Sequence, residues 1–365
     1  MKARFVSTRR SCVNLLGISA LVACGLAASS VRAGTTLFVA NNGSDSTTCG
    51  SATSPCRSVS QAIHNAGNGD IIIVGSGVYG DVDQSGFSGL GDEAGPNTSC
   101  NCMINIDKDV TIVSRDGASA TILDAAGNGI DGVAISASGA TLGGLKKGFT
   151  VIGAGGNGVT ISNGLSGAVV IGNRSDGNGG DGFLVSDSAN SNQMRGNIAI
   201  NNGNNGFEIR GTSNVIAGNA ATANSRDGFH LLGTGHTLSG NLASDNGRIG
   251  FDVLTNSTVS LVKNAAIANL RFGIVISSNA TGTIEFNDIF GNNESPVNSF
   301  GTNGLVNVGL VNDSFGKLTV SGNYYGAPTG PGADPADTIL DIGAGSATTN
   351  LSIGTKEIRI KAITP

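Results

Sequence analysis

Tryptophan is absent, tyrosine occurs only at Tyr79, Tyr324 and Tyr325, and the chain has three histidines and three methionines. So few aromatic faces leave little platform for stacking neutral sugars, and so few His and Met side chains are a thin supply for copper. Charge is sparse as well, at 13% of residues, and it leans acidic, with 21 basic against 26 acidic side chains. That balance argues against nucleic acid or an anionic membrane as the general partner. The apolar run at 15–28 is too short, and too rich in Ala, Gly and Ser, for a good membrane span.

What the chain has in abundance is Gly and Asn, arranged periodically. Asn173, Asn197, Asn219, Asn241, Asn264 and Asn287 recur every 22 to 24 residues, each followed five positions later by Asn178, Asn202, Asn224, Asn246, Asn269 or Asn292. Four residues further on come Gly182, Gly206, Gly228, Gly250 and Gly273, and directly after them Phe183, Phe207, Phe229, Phe251 and Ile274. A period of this length is a solenoid signature. Alternation after each glycine, as in Phe207-Glu208-Ile209-Arg210, is the two-residue period of a half-buried strand. Three short strands per repeat, with no helical stretch between, make one turn of a single-stranded parallel β-helix. Small residues at Ala199, Ala221, Ala243 and Ala266 fit a packed interior column. Asparagine tolerates the left-handed bend and bonds local backbone, so the asparagines are expected at the corners, their amides stacked along the axis. A disordered Asn/Gly tract is the competing reading, and the register of the apolar residues opposes it.

Residues 1–33 read as an export signal: Lys2, Arg4, Arg9 and Arg10 precede the apolar run, and Val31-Arg32-Ala33 offers a cleavage site. Leu21-Val22-Ala23-Cys24 resembles a lipoprotein box, and Thr8-Arg9-Arg10 a twin-arginine signal. Cleavage after Ala33 removes five basic residues and leaves 16 against 26 acidic ones, a net charge near −10. The expected location is secreted, periplasmic or cell-surface. Cys49, Cys56, Cys100 and Cys102 then remain, and in an exported protein they are disulfide candidates with three possible pairings. Their spacing matches no standard zinc site. The segment 34–106 is expected to be an N-terminal strand and helix cap, with a short helix over 58–66 behind a Ser58 cap covering the open end of the solenoid. The β-helix proper is expected over 107–325, with an excursion near 294–315, and a C-terminal cap and tail over 326–365.

Phe38-Val39-Ala40-Asn41-Asn42-Gly43-Ser44-Asp45, Val59-Ser60-Gln61-Ala62-Ile63 and Gly69-Asp70-Ile71-Ile72-Ile73-Val74 resemble the opening of exported proteins of the pectate-lyase-like superfamily. The Asn-x4-Asn-x3-Gly repeats and Asn323-Tyr324-Tyr325-Gly326 are similar to its right-handed parallel β-helix repeats and their closing motif, which also occur in NosD-type periplasmic proteins. The resemblance implies a right-handed, all-β coil over roughly 36–332. It implies function only weakly, because this fold hosts lyases, hydrolases, esterases, epimerases and non-catalytic surface proteins. An adjacent Asp pair with Gly-His-Gly, as in polygalacturonases, is missing, and Arg359-Ile360-Lys361 lies alone in the tail. Residues 282–291 faintly echo a pectin methylesterase segment that the ordinary repeat already explains. Calcium is a candidate cofactor because related lyases use clustered acids, for which Asp81-x-Asp83 and Asp107-Lys108-Asp109 come nearest.

With the phenylalanines inward, alternation turns Glu208, His230 and Asp252 outward at one place in three successive coils, bounded by Leu184 and Val275. These are the candidate catalytic residues, expected to face solvent. Arg226, Arg248 and Arg271 share another place, and with Arg210 they are candidate substrate-binding residues, since guanidinium groups pair with uronate carboxylates. No metal ligand is assigned among these residues. The expected function is binding to, or action on, an acidic polysaccharide or cell-surface glycan by elimination or C5-epimerisation. The alternatives are a non-catalytic surface scaffold and a NosD-like maturation factor.

Overall fold

The computed structural model describes residues 34–80, 93, 99–293, 307–314, 318–332, 336–342 and 348–353. The expected signal segment with its lipobox and twin-arginine alternatives, Asp81-x-Asp83, and Arg359 to Lys361 lie outside these residues.

Among the described residues the strands form three all-parallel sheets of 12, nine and ten strands, called here sheets 1, 2 and 3, together with one short helix. One coil runs from Val215–Ala217 in sheet 1 to Ala220–Thr222 in sheet 2 and Phe229–Leu231 in sheet 3. It then re-enters sheet 1 at Thr234–Ser239, in register beside Val215. Each strand pairs only with its equivalents one coil before and after, so the sequence period becomes columns along the axis. Phe183, Phe207, Phe229 and Phe251 form the expected internal stack, with ring centroids 4.9, 4.8 and 4.8 Å apart and the ring planes nearly parallel. That spacing is the inter-strand distance of a sheet, so each ring sits one coil above the last. Facing them, Ala199, Ala221, Ala243 and Ala266 are fully buried. The glycine before each phenylalanine is required by this close approach. A Cβ on Gly206 would lie 2.7 Å from Ala221 Cβ and 2.8 Å from both Gly228 O and Asn224 Nδ2.

The corners correct one expectation. The ladder asparagines do not themselves take the left-handed conformation; the residue immediately before each one does. Gly172, Gly177, Gly196, Asn201, Gly218, Ala223, Gly240, Asp245, Lys263 and Ala268 all have φ between 54° and 67°. That residue turns the chain, and the asparagine is left with its amide pointing along the axis. Asn197 donates through Nδ2 to Asn219 Oδ1 (3.0 Å) and to Val170 O (2.8 Å), and the bonding repeats coil after coil. A third ladder, Asn192–Asn214–His236, turns the corner into sheet 1. Ladder polarity runs one way, so its last rung needs only to accept. Asp337 ends one ladder as an acceptor for Asn292 Nδ2 (2.9 Å), and His236 Nδ1 ends another for Asn214 N–H (3.3 Å).

The coils begin before the expected start at 107. Thr36–Val39, Ile71–Val74, Gly77–Gly80 and Cys102–Ile106 already pair in the three sheets, because their buried apolar residues continue the same columns. They also run past 325, since Thr338–Asp341 and Thr348–Ile353 add strands to sheets 3 and 1. Residues 294–306 and 315 of the expected excursion lie outside the described residues, and Val308–Asn312 within it is a sheet 3 strand. The helix is Val59–Asn65, capped by Ser58 Oγ accepting from Gln61 N–H (3.1 Å) and by the buried Glu93, which accepts from Val59 and Ser60 N–H (2.8 Å each). Lys108 Nζ closes its other end by donating to the carbonyls of Ile63, His64 and Ala66 (2.9, 2.7 and 2.7 Å), which gives the Asp107-Lys108-Asp109 segment a structural role. The open pairing question resolves as Cys49–Cys56 and Cys100–Cys102.

Candidate functional site

Strand register puts Glu208, His230 and Asp252 side by side on the outer face of sheet 3, with Leu184 and Val275 as the next members of the column. Their environment is not the solvated one expected from alternation alone. Glu208 and Asp252 are buried, and the His230 side chain is only 20% exposed. The reason is a second column on the same face, two residues before Val133, Val159, Phe183, Phe207 and Phe229: Asp131, Asn157, Asp181, Asn205 and Asp227. These side chains form their own ladder. Each carboxylate or amide oxygen accepts the backbone N–H one coil on, from Asn157 to Asp131 (2.7 Å) through to Ile249 on Asp227 (3.1 Å). The sequence reading missed this column, although its Asp/Asn alternation at fixed spacing was a readable signal.

The two columns interlock. Arg210 Nε donates to Glu208 Oε1 (2.6 Å), its guanidinium also reaches Asp187 Oδ2 (3.3 Å), and Asn205 Nδ2 donates to Glu208 Oε2 (3.2 Å). His230 Nδ1 lies 3.2 Å from Asp227 Oδ2 and 3.4 Å from Asp252 Oδ2. Arg248 Nη1 lies 3.7 Å from Asp227 Oδ2. Arg226, Arg248 and Arg271 do stack, each backbone N–H bonding the carbonyl one coil before. They are not uniformly open to substrate, however: Arg210 and Arg248 already face carboxylates inside the cluster, whereas exposed Arg226 donates to Asn204 Oδ1 (3.2 Å).

Packing ionisable groups this closely shifts their protonation. Burial, and then the neighbouring Glu208 carboxylate, pushes the Asp181 pKa up to about 7. Glu208 moves the other way: burial raises it, but hydrogen bonds with Asp181 and Arg210 outweigh burial and hold it below the ordinary carboxylate value. The pair therefore shares one proton near neutrality. Burial lowers His230, but hydrogen bonding to Asp227 and Asp252 more than offsets this and raises it to about 9. His236, buried at its ladder end, is lowered by desolvation and stays neutral, as its acceptor role requires.

Beside the cluster an open groove of about 400 Å³ runs along the same face, lined by Ser99, Cys100, Asp131, Ser136, Thr160, Ser162, Asn163 and Ser186. Its last coil, which carries Ser186, also carries Asp181, so groove and carboxyl pair meet on one coil. As for metals, Asp227, His230 and Asp252 bring three ligand atoms within 4.8 Å of one another. A histidine among so few oxygens departs from the oxygen-rich shell calcium takes.

Residues 61–242 match the family described as right handed beta helix region. The chain is a right-handed parallel β-helix protein. The handedness and fold implied by the resemblance to the pectate-lyase-like superfamily are thereby borne out. No curated protein matches the chain. Among solved structures it is similar to pectate lyase Pel9A, at 16% identity and a TM-score of 0.48, covering 88% of this chain and 80% of that one. It is similar also to the mannuronan C-5 epimerase AlgE4 A-module of Azotobacter vinelandii, at 17% and 0.45, covering 73% and 71%. The alginate lyase of Paenibacillus sp. str. FPU-7 follows at 14% and 0.46, covering 88% and 98%. Similarity at this level says nothing about this chain's chemistry.

Proposed function

We propose that this β-helix binds an extended polysaccharide along the outer face of sheet 3 and acts on its uronate units as a lyase or C5-epimerase. The supporting observation is the meeting of groove and carboxyl pair: hydroxyl and amide side chains line an open channel whose last coil holds Asp181, poised near neutrality against Glu208. Both reactions begin with loss of the C5 proton, which is acidified when the adjacent carboxylate is neutralised. A group with a pKa near the working pH is the efficient proton carrier for such a step. Ionised Asp181 would take the C5 proton. In the lyase reaction the C4–C5 double bond then forms as the C4–O bond breaks, and the departing oxygen takes a proton from solvent, whereas in epimerisation a proton returns to the opposite face of C5. Exposed Arg226 and the cationic His230 would meet the uronate carboxylate. A second reading, a non-catalytic glycan-binding scaffold, is favoured by the burial of Glu208 and Asp252.

Incubation with alginate and polygalacturonate, following unsaturated ends by ultraviolet absorbance and epimerised units by NMR, separates the two. Activity that Asp181→Asn reduces at least about 100-fold supports the catalytic reading. Retention of these polymers on affinity electrophoresis without turnover supports the scaffold. Neither binding nor turnover overturns both.

A further inference from the structure

We propose that Asp227 Oδ2, His230 Nδ1 and Asp252 Oδ2 form a binding site for a divalent transition-metal ion of the zinc type, with a fourth position open to solvent or ligand. The geometry is the argument. Metal–ligand bonds of 2.0–2.2 Å at tetrahedral angles put neighbouring donors about 3.3–3.6 Å apart. The two distances from His230 Nδ1 are 3.2 and 3.4 Å, and all three donors lie within 4.8 Å of one another. Three protein donors with one vacant position is also the arrangement of catalytic rather than structural zinc. An imidazole among the donors selects zinc and its first-row neighbours over calcium or magnesium.

The surroundings favour a formed site. Asp227 is fully buried, and its other oxygen is tied to the Ile249 backbone N–H at 3.1 Å, which aims Oδ2 at His230. Such outer contacts commonly orient metal ligands. Asp252 is buried, so the way in is past the partly exposed His230 ring. The three residues occupy consecutive coils or the same strand neighbourhood of a rigid sheet, and little reorganisation is needed. Binding displaces the Nδ1 proton to solvent. Arg248, 3.7 Å from Asp227 Oδ2, is the competing cation and must draw back when metal enters. The inference does not depend on the proposed polysaccharide chemistry and is tested without it.

The full chain, purified without a polyhistidine tag and stripped with chelator, is titrated with Zn²⁺, Co²⁺ and Ca²⁺ by calorimetry. One equivalent of Zn²⁺ is expected to bind, Co²⁺ to give the intense visible absorption of a tetrahedral site, and Ca²⁺ to bind far more weakly. Affinity for Zn²⁺ should fall at least about tenfold in His230→Ala and in Asp252→Asn, and be unchanged in His64→Ala. Arg248→Gln should raise it. Circular dichroism identifies any variant that fails to fold. Wild-type protein that binds no Zn²⁺, or folded His230→Ala that binds it as wild type does, overturns the assignment.

Discussion

Replacing Asn224 with leucine removes one rung from the middle of a ladder, and the structure allows its cost to be worked out. The Asn224 side chain makes four bonds. Its Oδ1 accepts from Asn202 N–H (3.1 Å) and Asn202 Nδ2 (3.0 Å), and its Nδ2 donates to Ala199 O (3.1 Å) and Asn246 Oδ1 (3.0 Å). Leucine matches the branching of asparagine at Cγ but is bulkier, so overpacking at this buried corner adds to the lost bonding. Asn202 keeps its bond to Ser175 O (3.2 Å) but loses acceptors for its backbone N–H and one amide hydrogen. Both donors are buried, with Asn202 0% exposed. Each unsatisfied buried donor costs about 1–3 kcal/mol, and the carbonyl of Ala199 loses a partner too, so the expected loss is about 3–6 kcal/mol. Urea unfolding monitored by circular dichroism measures it. A loss below about 1 kcal/mol would refute the claim that the ladders, rather than apolar stacking alone, hold the coils together. Aspartate at the same position is informative as well. It supplies the acceptor, but its second oxygen would face two acceptors, so its folded-state pKa must rise. The Asn224→Asp protein should therefore lose more stability than wild type as pH climbs from about 4 towards 7.

Phe229→Ala empties a fully buried site between two stacked rings and should cost about 3–5 kcal/mol in the same assay. Phe183→Ala breaks one ring contact instead of two and should cost about 0.5–1.5 kcal/mol less. Ala223→Gly, at an exposed corner with φ 55°, should stabilise the protein by about 0.5–1 kcal/mol, as relief of left-handed strain exceeds the added freedom of the unfolded chain. Asp181 has a folded pKa of about 7, well above its unfolded value, so it contributes most stability at acid pH and loses it as pH rises to 7 and beyond; Asp181→Asn should flatten that part of the stability–pH curve. Lys108→Ala, which uncaps the helix, should lower stability by about 1.5–3 kcal/mol.

The coil was legible because period and alternation act on residues whose environment the repeat itself creates. Phe207, Phe229 and Phe251 recur at one place, and only an inward stack buries them all. The outward column Glu208, His230 and Asp252 followed from the same register. Its burial did not, because alternation describes one strand, and what covers that column is a second file of side chains at the preceding bend. Asp181 and Asp227 sit among many Asp and Asn positions, and nothing within a single repeat distinguishes a solvated turn carboxylate from one locked to the next coil's N–H. The corner geometry was misassigned for a related reason. Asparagine favours left-handed turns in general, but here its amide is committed to the ladder, and the neighbour takes the strain even where it is Ala223 or Ala268. The coil boundaries were drawn too narrowly because the outer coils lack the Asn-x4-Asn signature and keep only apolar strands, such as Ile71–Val74.

The ladders also explain why a charged cluster can persist in a fold with so little charge. A carboxylate on an isolated strand would turn to water and make weak, mobile pairs. On sheet 3, one oxygen of Asp181 and one of Asp227 are spent accepting backbone N–H groups of the next coil, at 2.9 and 3.1 Å. Their remaining oxygens are held in fixed directions, towards Glu208 in one case and His230 in the other. The same bonds that stack the coils thus fix the acids, and the acids set the protonation of their neighbours. Where the ladder stops, at Ile249, the outward column loses its charge within one further coil, at Val275. The ladder bounds the candidate site at this end only; in the other direction it continues to Asp131, beside the uncharged Ala134, Thr160 and Leu184. Asp227→Asn should preserve the backbone bond and the coil stack while releasing His230: the His230 pKa, followed by NMR, should fall from about 9, and stability should drop at neutral pH, where that shift contributes, but change little above pH 9.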